Sequence, residues 1–207
     1  SGEQDGTRSS LLFSAQYFDA LIQSKTALEN VGYLKLLAAT AYYLCGYPGS
    51  SNVILKSIEE SQQASFEALE RALFILLKRE KLVLSSDKNC YFHENFNEVR
   101  LAWNGFIKND PSSEELRARI SALRSKIYSD GSDRDLLMVD AIRSVITKRV
   151  NTASSRLLPL YSGVEPQLWE GYLQQDKSIR ELWPAQILLG ESGIFKGTSG
   201  VVQMPTS

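Results

Sequence analysis

The chain has 207 residues, 43% hydrophobic, 10% aromatic and 23% charged, which is enough apolar material for a packed core and excludes disorder as the main state. Its 23 Lys and Arg against 24 Asp and Glu give a net charge of -1, which excludes a wholly basic nucleic-acid coat but not a local basic face. One histidine, His93, and two cysteines, Cys45 and Cys90, exclude a disulfide-rich scaffold and any site needing several imidazole or thiolate ligands.

Helical periodicity runs through the first three quarters of the chain. Residues 10–27 place Leu11, Leu12, Ala15, Phe18, Leu21 and Ile22 on one face, and residues 30–45 repeat the pattern with Val31, Leu34, Leu37, Ala38, Ala41 and Tyr42. Gly46-Tyr-Pro-Gly49 stops that helix, and Ser50 or Ser51 caps a short one through Val53, Leu55 and Ile58. Residues 62–78 read as the strongest helix, with Phe66, Leu69, Leu73 and Leu76 in a stripe and a Glu67–Arg71 pair beside it. An extended piece, Leu82-Val-Leu84, and a polar turn follow. Three more helices are expected over residues 94–108, 114–128 and 134–150, separated by Asn109-Asp-Pro111 and Asp130-Gly-Ser-Asp133.

The expected fold is therefore mainly α, either an irregular helical bundle or a stack of α-hairpins. Residues 36–46, Leu-Leu-Ala-Ala-Thr-Ala-Tyr-Tyr-Leu-Cys-Gly, resemble the first helix of a tetratricopeptide-type hairpin, although no constant period repeats. Pro159, Gly163 and Pro166 mark a loop-rich junction, and the domain boundary is expected between about Tyr161 and Arg180, dividing residues 1–165 from 166–207. The Ser-Gly start and the end at Ser207, just after a strand-like run, read as a piece of a longer chain. No apolar run is long enough to span a bilayer, no secretory signal is visible, and two unpaired-looking cysteines fit a reducing, cytoplasmic setting.

The last quarter holds the informative motifs. Glu181-Leu-Trp-Pro-Ala-Gln186 leads into an apolar helix-like run over residues 187–195, a turn at Lys196-Gly-Thr-Ser-Gly200, a strand expected over residues 201–204, and Pro205-Thr-Ser207. This segment resembles the opening of the first motor domain of superfamily 2 helicases of the DEAD/DEAH-box kind. Pro184-Ala185-Gln186 matches the core of that family's Q motif, and Pro205-Thr206-Ser207 matches the start of its motif I, which typically continues Ala-Gly-Lys-Thr. The interval from Gln186 to Thr206 is 20 residues, close to the family's helix–turn–strand spacing.

The resemblance implies a RecA-like ATPase domain that begins near residue 166 and uses ATP and Mg²⁺. It gives Gln186 the role of adenine contact and makes Thr206 and Ser207 the first residues of the phosphate loop. An amide offers one donor and one acceptor face to the N7 and N6 groups of adenine, and backbone N–H groups at a helix start cradle phosphates. The lysine and the Mg²⁺-binding hydroxyl of such a loop are not among the 207 residues, so this polypeptide alone is not expected to hydrolyse ATP or to bind it tightly. Trp169, 17 residues before Gln186, stands where such proteins often carry an adenine-stacking aromatic, and Tyr172 and Trp183 compete for that role. More loosely, the helical part is similar to the amino-terminal region of large bacterial helicases, some from anti-phage defence systems. That similarity implies an accessory domain docking on the motor, on DNA or RNA, or on a partner protein.

Other constellations point elsewhere less specifically. Cys90 and His93 have C-x-x-H spacing, but two ligands do not make a zinc site, and the pair lacks the third group that orients a Cys–His nucleophile. Arg117, Arg119, Arg124 and Lys126, then Arg143, Lys148, Arg149 and Arg156, could line a phosphate-facing stripe; interspersed acids make a solvated helix face the competing reading. Of these, Arg117, Arg124, Arg143 and Arg149 are the candidate nucleic-acid contacts. Two other functional classes stay open: a non-enzymatic helical-repeat adaptor, and a helical nucleic-acid-binding module without a motor.

Overall fold

The structure is a computed structural model that describes residues 2–24, 30–83, 90–108, 113–175 and 177–202. Its described residues form eleven α-helices and one 3-10 turn, with no β-strand beyond a single antiparallel bridge between Ala153 and Glu181. The mainly α expectation holds. The chain divides into two compact units, Ser1–Thr147 and Lys148–Ser207.

Unit 1 is built on α1 (Gly2–Gln23), α2 (Val31–Cys45), α3 (Pro48–Lys56), α4 (Glu60–Ala64), α5 (Ala68–Lys78), α6 (His93–Phe106), α7 (Ser113–Asp130) and most of α8 (Asp133–Thr152). α2 is its hub and packs against α1, α3, α4 and α5. Small side chains permit that crowding, since Ala38, Ala39 and Ala41 are buried with Leu36. Gly32 lets α4 come close, because a Cβ there would stand 2.9 Å from Cβ of Gln62. α2 ends at Gly46, whose φ of 95° returns its N–H to the carbonyls of Tyr42 and Tyr43. Pro48 starts α3 at its first turn, where a missing N–H costs nothing, rather than only ending α2.

The single strong helix expected over residues 62–78 is two helices. Glu67 is extended, with φ -69° and ψ 170°, and its N–H donates to the Glu70 carboxylate at 3.1 Å. That contact starts α5 afresh and leaves Ser65 and Phe66 as the joint. Phe66 is buried, with its ring 5.9 Å from that of Phe74, so the apolar stripe continues across a break in the backbone. The expected Glu67–Arg71 pair does not form; the Arg71 guanidinium donates to the Phe66 carbonyl at 3.1 Å.

Glu70 itself is 1% exposed, and a buried carboxylate must be partnered. Arg134, from the first turn of α8, supplies two donors to one Glu70 oxygen, at 2.8 and 2.6 Å, while the other oxygen takes the Glu67 N–H. Arg134 also lies over the Tyr33 ring of α2 at 4.7 Å, so one guanidinium ties α8, α5 and α2 together. A second polar stitch replaces a strand. Leu82 belongs to no strand, and its N–H and carbonyl are both taken by the Asn104 amide at 2.9 Å. Trp103 beside it is fully buried and donates its indole N–H to the Glu80 carbonyl at 2.9 Å. Leu84, the end of that expected extended piece, lies outside the described residues.

Unit 2 holds the last turn of α8, then α9 (Ser154–Ser162), α10 (Pro166–Leu173), α11 (Pro184–Glu191) and the 3-10 turn Ile194–Lys196. The junction expected to be loop-rich is helical: Pro159 lies inside α9, Pro166 opens α10, and only residues 163–165 separate them. The division falls instead at 147/148. The reason is a set of contacts that the sequence does not display: residues 180–182 bond to the end of α8 and the start of α9, through Leu182 N–H to Thr152 and Ser154 N–H to Arg180. Of the strand expected over residues 201–204, Val201 and Val202 are non-strand and exposed, and Gln203 and Met204 lie outside the described residues. A strand needs a neighbour to bond with, and none is present among the described residues. No helix among those residues is long and apolar enough to cross a membrane.

The Glu70–Arg134 pair is asymmetric, which sets a stability test. Arg134→Met strands a carboxylate in the core and should cost about 3 kcal/mol in urea unfolding. Glu70→Gln leaves a guanidinium that is 43% exposed and can re-solvate, and should cost clearly less.

Candidate functional site

Unit 2 is assembled around Leu157, Leu158, Leu173 and Leu182, with Tyr161, Trp169, Tyr172, Ile187 and Phe195 packed on that cluster. Elements α9, α10 and α11 and the 3-10 turn therefore meet at one apolar centre, and both the expected adenine-stacking residue and the neighbour of Gln186 lie on it. Gly190 permits the closest approach. A Cβ at that position would stand 2.3 Å from Cδ2 and 2.5 Å from Cγ of Tyr161. Tyr161 in turn meets the Phe195 ring edge-on at 6.3 Å. Burial, with the Glu191 carboxylate adding to it, raises the Tyr161 phenol above its ordinary pKa, so it stays a neutral group.

Gln186 sits in the first turn of α11, after Trp183 as N-cap and Pro184 at the first helical position. Its side-chain oxygen accepts the Trp183 N–H at 2.8 Å. Gln62 and Glu70 make the same backward contact at the starts of α4 and α5, to the N–H groups of Glu59 and Glu67. The position of Gln186 is thus explained by helix capping, and a backbone N–H can only donate, which identifies the bound amide atom as oxygen. The amide nitrogen, a double donor, has no hydrogen-bond partner among the described residues.

The other expected site residues divide sharply. Trp169 is half-buried in the apolar cluster, edge-on to Tyr172 at 5.9 Å, and its buried indole N–H has no partner among the described residues. Tyr172 uses its hydroxyl to accept the Ile179 N–H at 2.9 Å. Trp183 is 47% exposed at the mouth of α11. Thr206 and Ser207 lie outside the described residues.

The four candidate arginines are not equivalent. Arg124 is held by both oxygens of Asp140, at 2.5 and 3.2 Å, and Arg117 is half-buried on α7. Arg143 is exposed on α8. Arg149 is buried, and its guanidinium meets the Glu181 carboxylate at 2.5 Å, which takes it out of any solvent-facing stripe. On α7, Arg119 pairs with Glu98 and Glu115 and Lys126 pairs with Asp130, so acids answer much of that helix's positive charge. Charge neutralisation of this kind fits the solvated-face reading better than a phosphate track.

Sequence reasoning missed Glu181, Thr152, Arg180 and the Gly190–Tyr161 contact. Arg180 donates to the carbonyls of Leu173 and Gln175, closing the turn after α10. No group of three His, Cys, Asp or Glu that could hold a metal occurs among the described residues. Cys45 is buried and Cys90 half-buried, both as thiols. Comparison with known proteins finds no matching family, no matching curated protein and no matching solved structure.

The Gly190 contact gives a local test. Gly190→Ala must push the Tyr161 ring from its base, not its tip, and should destabilise unit 2 by about 1–3 kcal/mol. Adding Tyr161→Ala should make the extra methyl at 190 nearly neutral in the same thermal-unfolding assay.

Proposed function

We propose that this chain is the amino-terminal part of an ATP-dependent nucleic-acid helicase or translocase, in which the helical unit docks on the motor, on DNA or RNA, or on a partner protein. The observation that carries the reading is the start of α11. Pro184-Ala185-Gln186 opens a helix, and Gln186 keeps its amide donors uncommitted among the described residues while its oxygen is fixed by the cap. The amide donors held in that way suit an acceptor such as adenine N7, and the second lone pair of the capped oxygen is the acceptor that the neighbouring N6–H would use. Sequence adds the 20-residue interval to Thr206 and Ser207.

Of the groups an ATP site needs, the chain holds the base-contacting amide and the first residues of the phosphate loop; the loop lysine is not among its residues. ATP and Mg²⁺ would supply the phosphoryl chemistry, and this chain's own contribution is to orient the base through Gln186, with Trp169 as the aromatic beside it.

Two substitutions separate the capping role of Gln186 from the recognition role. Gln186→Glu keeps an oxygen for the Trp183 N–H and places a negative charge at a helix start, so stability is held. It removes the donors, and the KM for ATP of the full-length protein should rise about 10-fold. Gln186→Ala should raise KM similarly and also lower the melting temperature. If Gln186→Glu leaves KM unchanged, Gln186 is a capping residue only and the adenine role is lost.

A further inference from the structure

We infer that the outward face of α1 is a self-association surface, on which a second copy of this chain lays its own α1 antiparallel, with Tyr17 over Gly6 and Phe13 over Ser10. This inference lies within unit 1 and is independent of any nucleotide role for Gln186.

α1 arranges its side chains unusually for a helix that borders solvent. It packs on α2, with Ala15 buried and Leu11, Leu12, Leu21 and Ile22 half-buried. From Gly6 to Ser24 the charged residues are Arg8 and Asp19, and both lie on the side of α2. Arg8 donates its Nε–H to the Cys45 carbonyl at 3.0 Å, and burial, with Asp19 adding to it, raises the Tyr42 phenol above its ordinary pKa. The rings of Phe13 and Tyr17 face the other way, 70% and 57% exposed. At about 100° per residue, Gly6, Ser10, Phe13, Tyr17 and Ala20 share one narrow stripe, and all five are exposed and uncharged. A helix face meant for water carries charged and polar side chains, whereas this one centres on two neighbouring aromatic rings.

Gly6 indicates what covers the stripe. It stands inside α1, where glycine weakens a helix relative to alanine, yet a Cβ there would meet nothing within 4 Å. Packing among the described residues therefore does not require a glycine, but a ring approaching from outside does. An antiparallel copy supplies that ring. A twofold axis passing between residues 11 and 12 sets Gly6 opposite Tyr17 of the second copy and Ser10 opposite its Phe13. Each pairing then occurs twice, and every ring lands on a small residue. Parallel pairing would set ring against ring and leave glycine facing glycine. The antiparallel shift also overlaps the two helices along almost their whole 22 residues, about 33 Å. A contact of that size is at the lower end of specific interfaces, so dimerisation is expected at micromolar concentration.

The test is sedimentation of the full chain across about a 100-fold range of micromolar concentration, where the average mass should rise from one chain towards two. Gly6→Gln fills the seat on both copies while improving the helix. It should raise the dimer dissociation constant about 10-fold and raise, not lower, the melting temperature of the dilute monomer. Phe13→Lys should weaken the dimer about 100-fold, whereas Val53→Lys, at a residue of α3 that is also 70% exposed, should leave it unchanged. Orientation is read by oxidising a mixture of Gly6→Cys and Tyr17→Cys chains, each in a Cys90→Ser background. Cross-links between positions 6 and 17 should exceed those joining like positions. A single-chain mass at every concentration, or a dimer that Gly6→Gln leaves intact, would overturn the α1 surface. Equal weakening by Val53→Lys would place the contact elsewhere and overturn it too. An excess of cross-links between like positions would overturn the antiparallel arrangement.

Discussion

A carboxylate taken out of water must be answered on both oxygens, and each unit of this chain is organised by one that is. In unit 1 it is Glu70, which receives Arg134 on one side and the Glu67 N–H on the other. In unit 2 it is Glu181, which receives Arg149 on one oxygen and has the other 2.8 Å from the Thr152 hydroxyl, whose single proton the Lys148 carbonyl also faces at 2.8 Å. Hydrophobic burial supplies most of the driving force in both, but it is non-directional. The ion pairs decide which helix ends meet: the start of α8 with α5 and α2 in one case, the end of α8 with the approach to α11 in the other.

The same economy appears at the helix starts. Gln62, Glu70 and Gln186 each reach back three residues to a backbone N–H, so α4, α5 and α11 begin by one device. In Glu70 the device is combined with a buried ion pair, whereas in Gln62 and Gln186 it engages the amide oxygen and leaves the amide nitrogen without a hydrogen-bond partner among the described residues. What singles out Gln186 is therefore the Pro184-Ala185-Gln186 sequence, not the cap geometry.

The helices were legible because apolar spacing near 3.6 reports which face is buried. The break between α4 and α5 was not, since Phe66, Leu69 and Leu73 keep that spacing across Ser65–Glu67 while the backbone turns. Glu67 followed by Glu70 is the capping signal that marks it, with Glu in the place of the usual Ser or Thr. The division at 147/148 was hidden for a different reason. It depends on Arg149 finding Glu181, 32 residues away, and nothing in a sequence distinguishes that arginine from exposed Arg143 six residues earlier. The helix expected over residues 187–195 instead runs Pro184–Glu191, followed by a separate 3-10 turn at Ile194–Lys196, so Gln186 lies in its first turn; Pro184 at the first helical position was the signal, and the apolar run that follows it masked the earlier start. Residues 203–207, which carry the rest of the motif resemblance, lie outside what the structure describes.

The central claim is that α11 leads into a phosphate loop. The most direct measurement is to read the coding frame of the parent gene beyond Ser207. The account predicts a continuation of Ala-Gly-Lys-Thr or a near variant, with an Asp-Glu pair on a later strand. A stop codon, or a continuation without the glycine and lysine of such a loop, would contradict it and leave a helical adaptor as the reading of this chain.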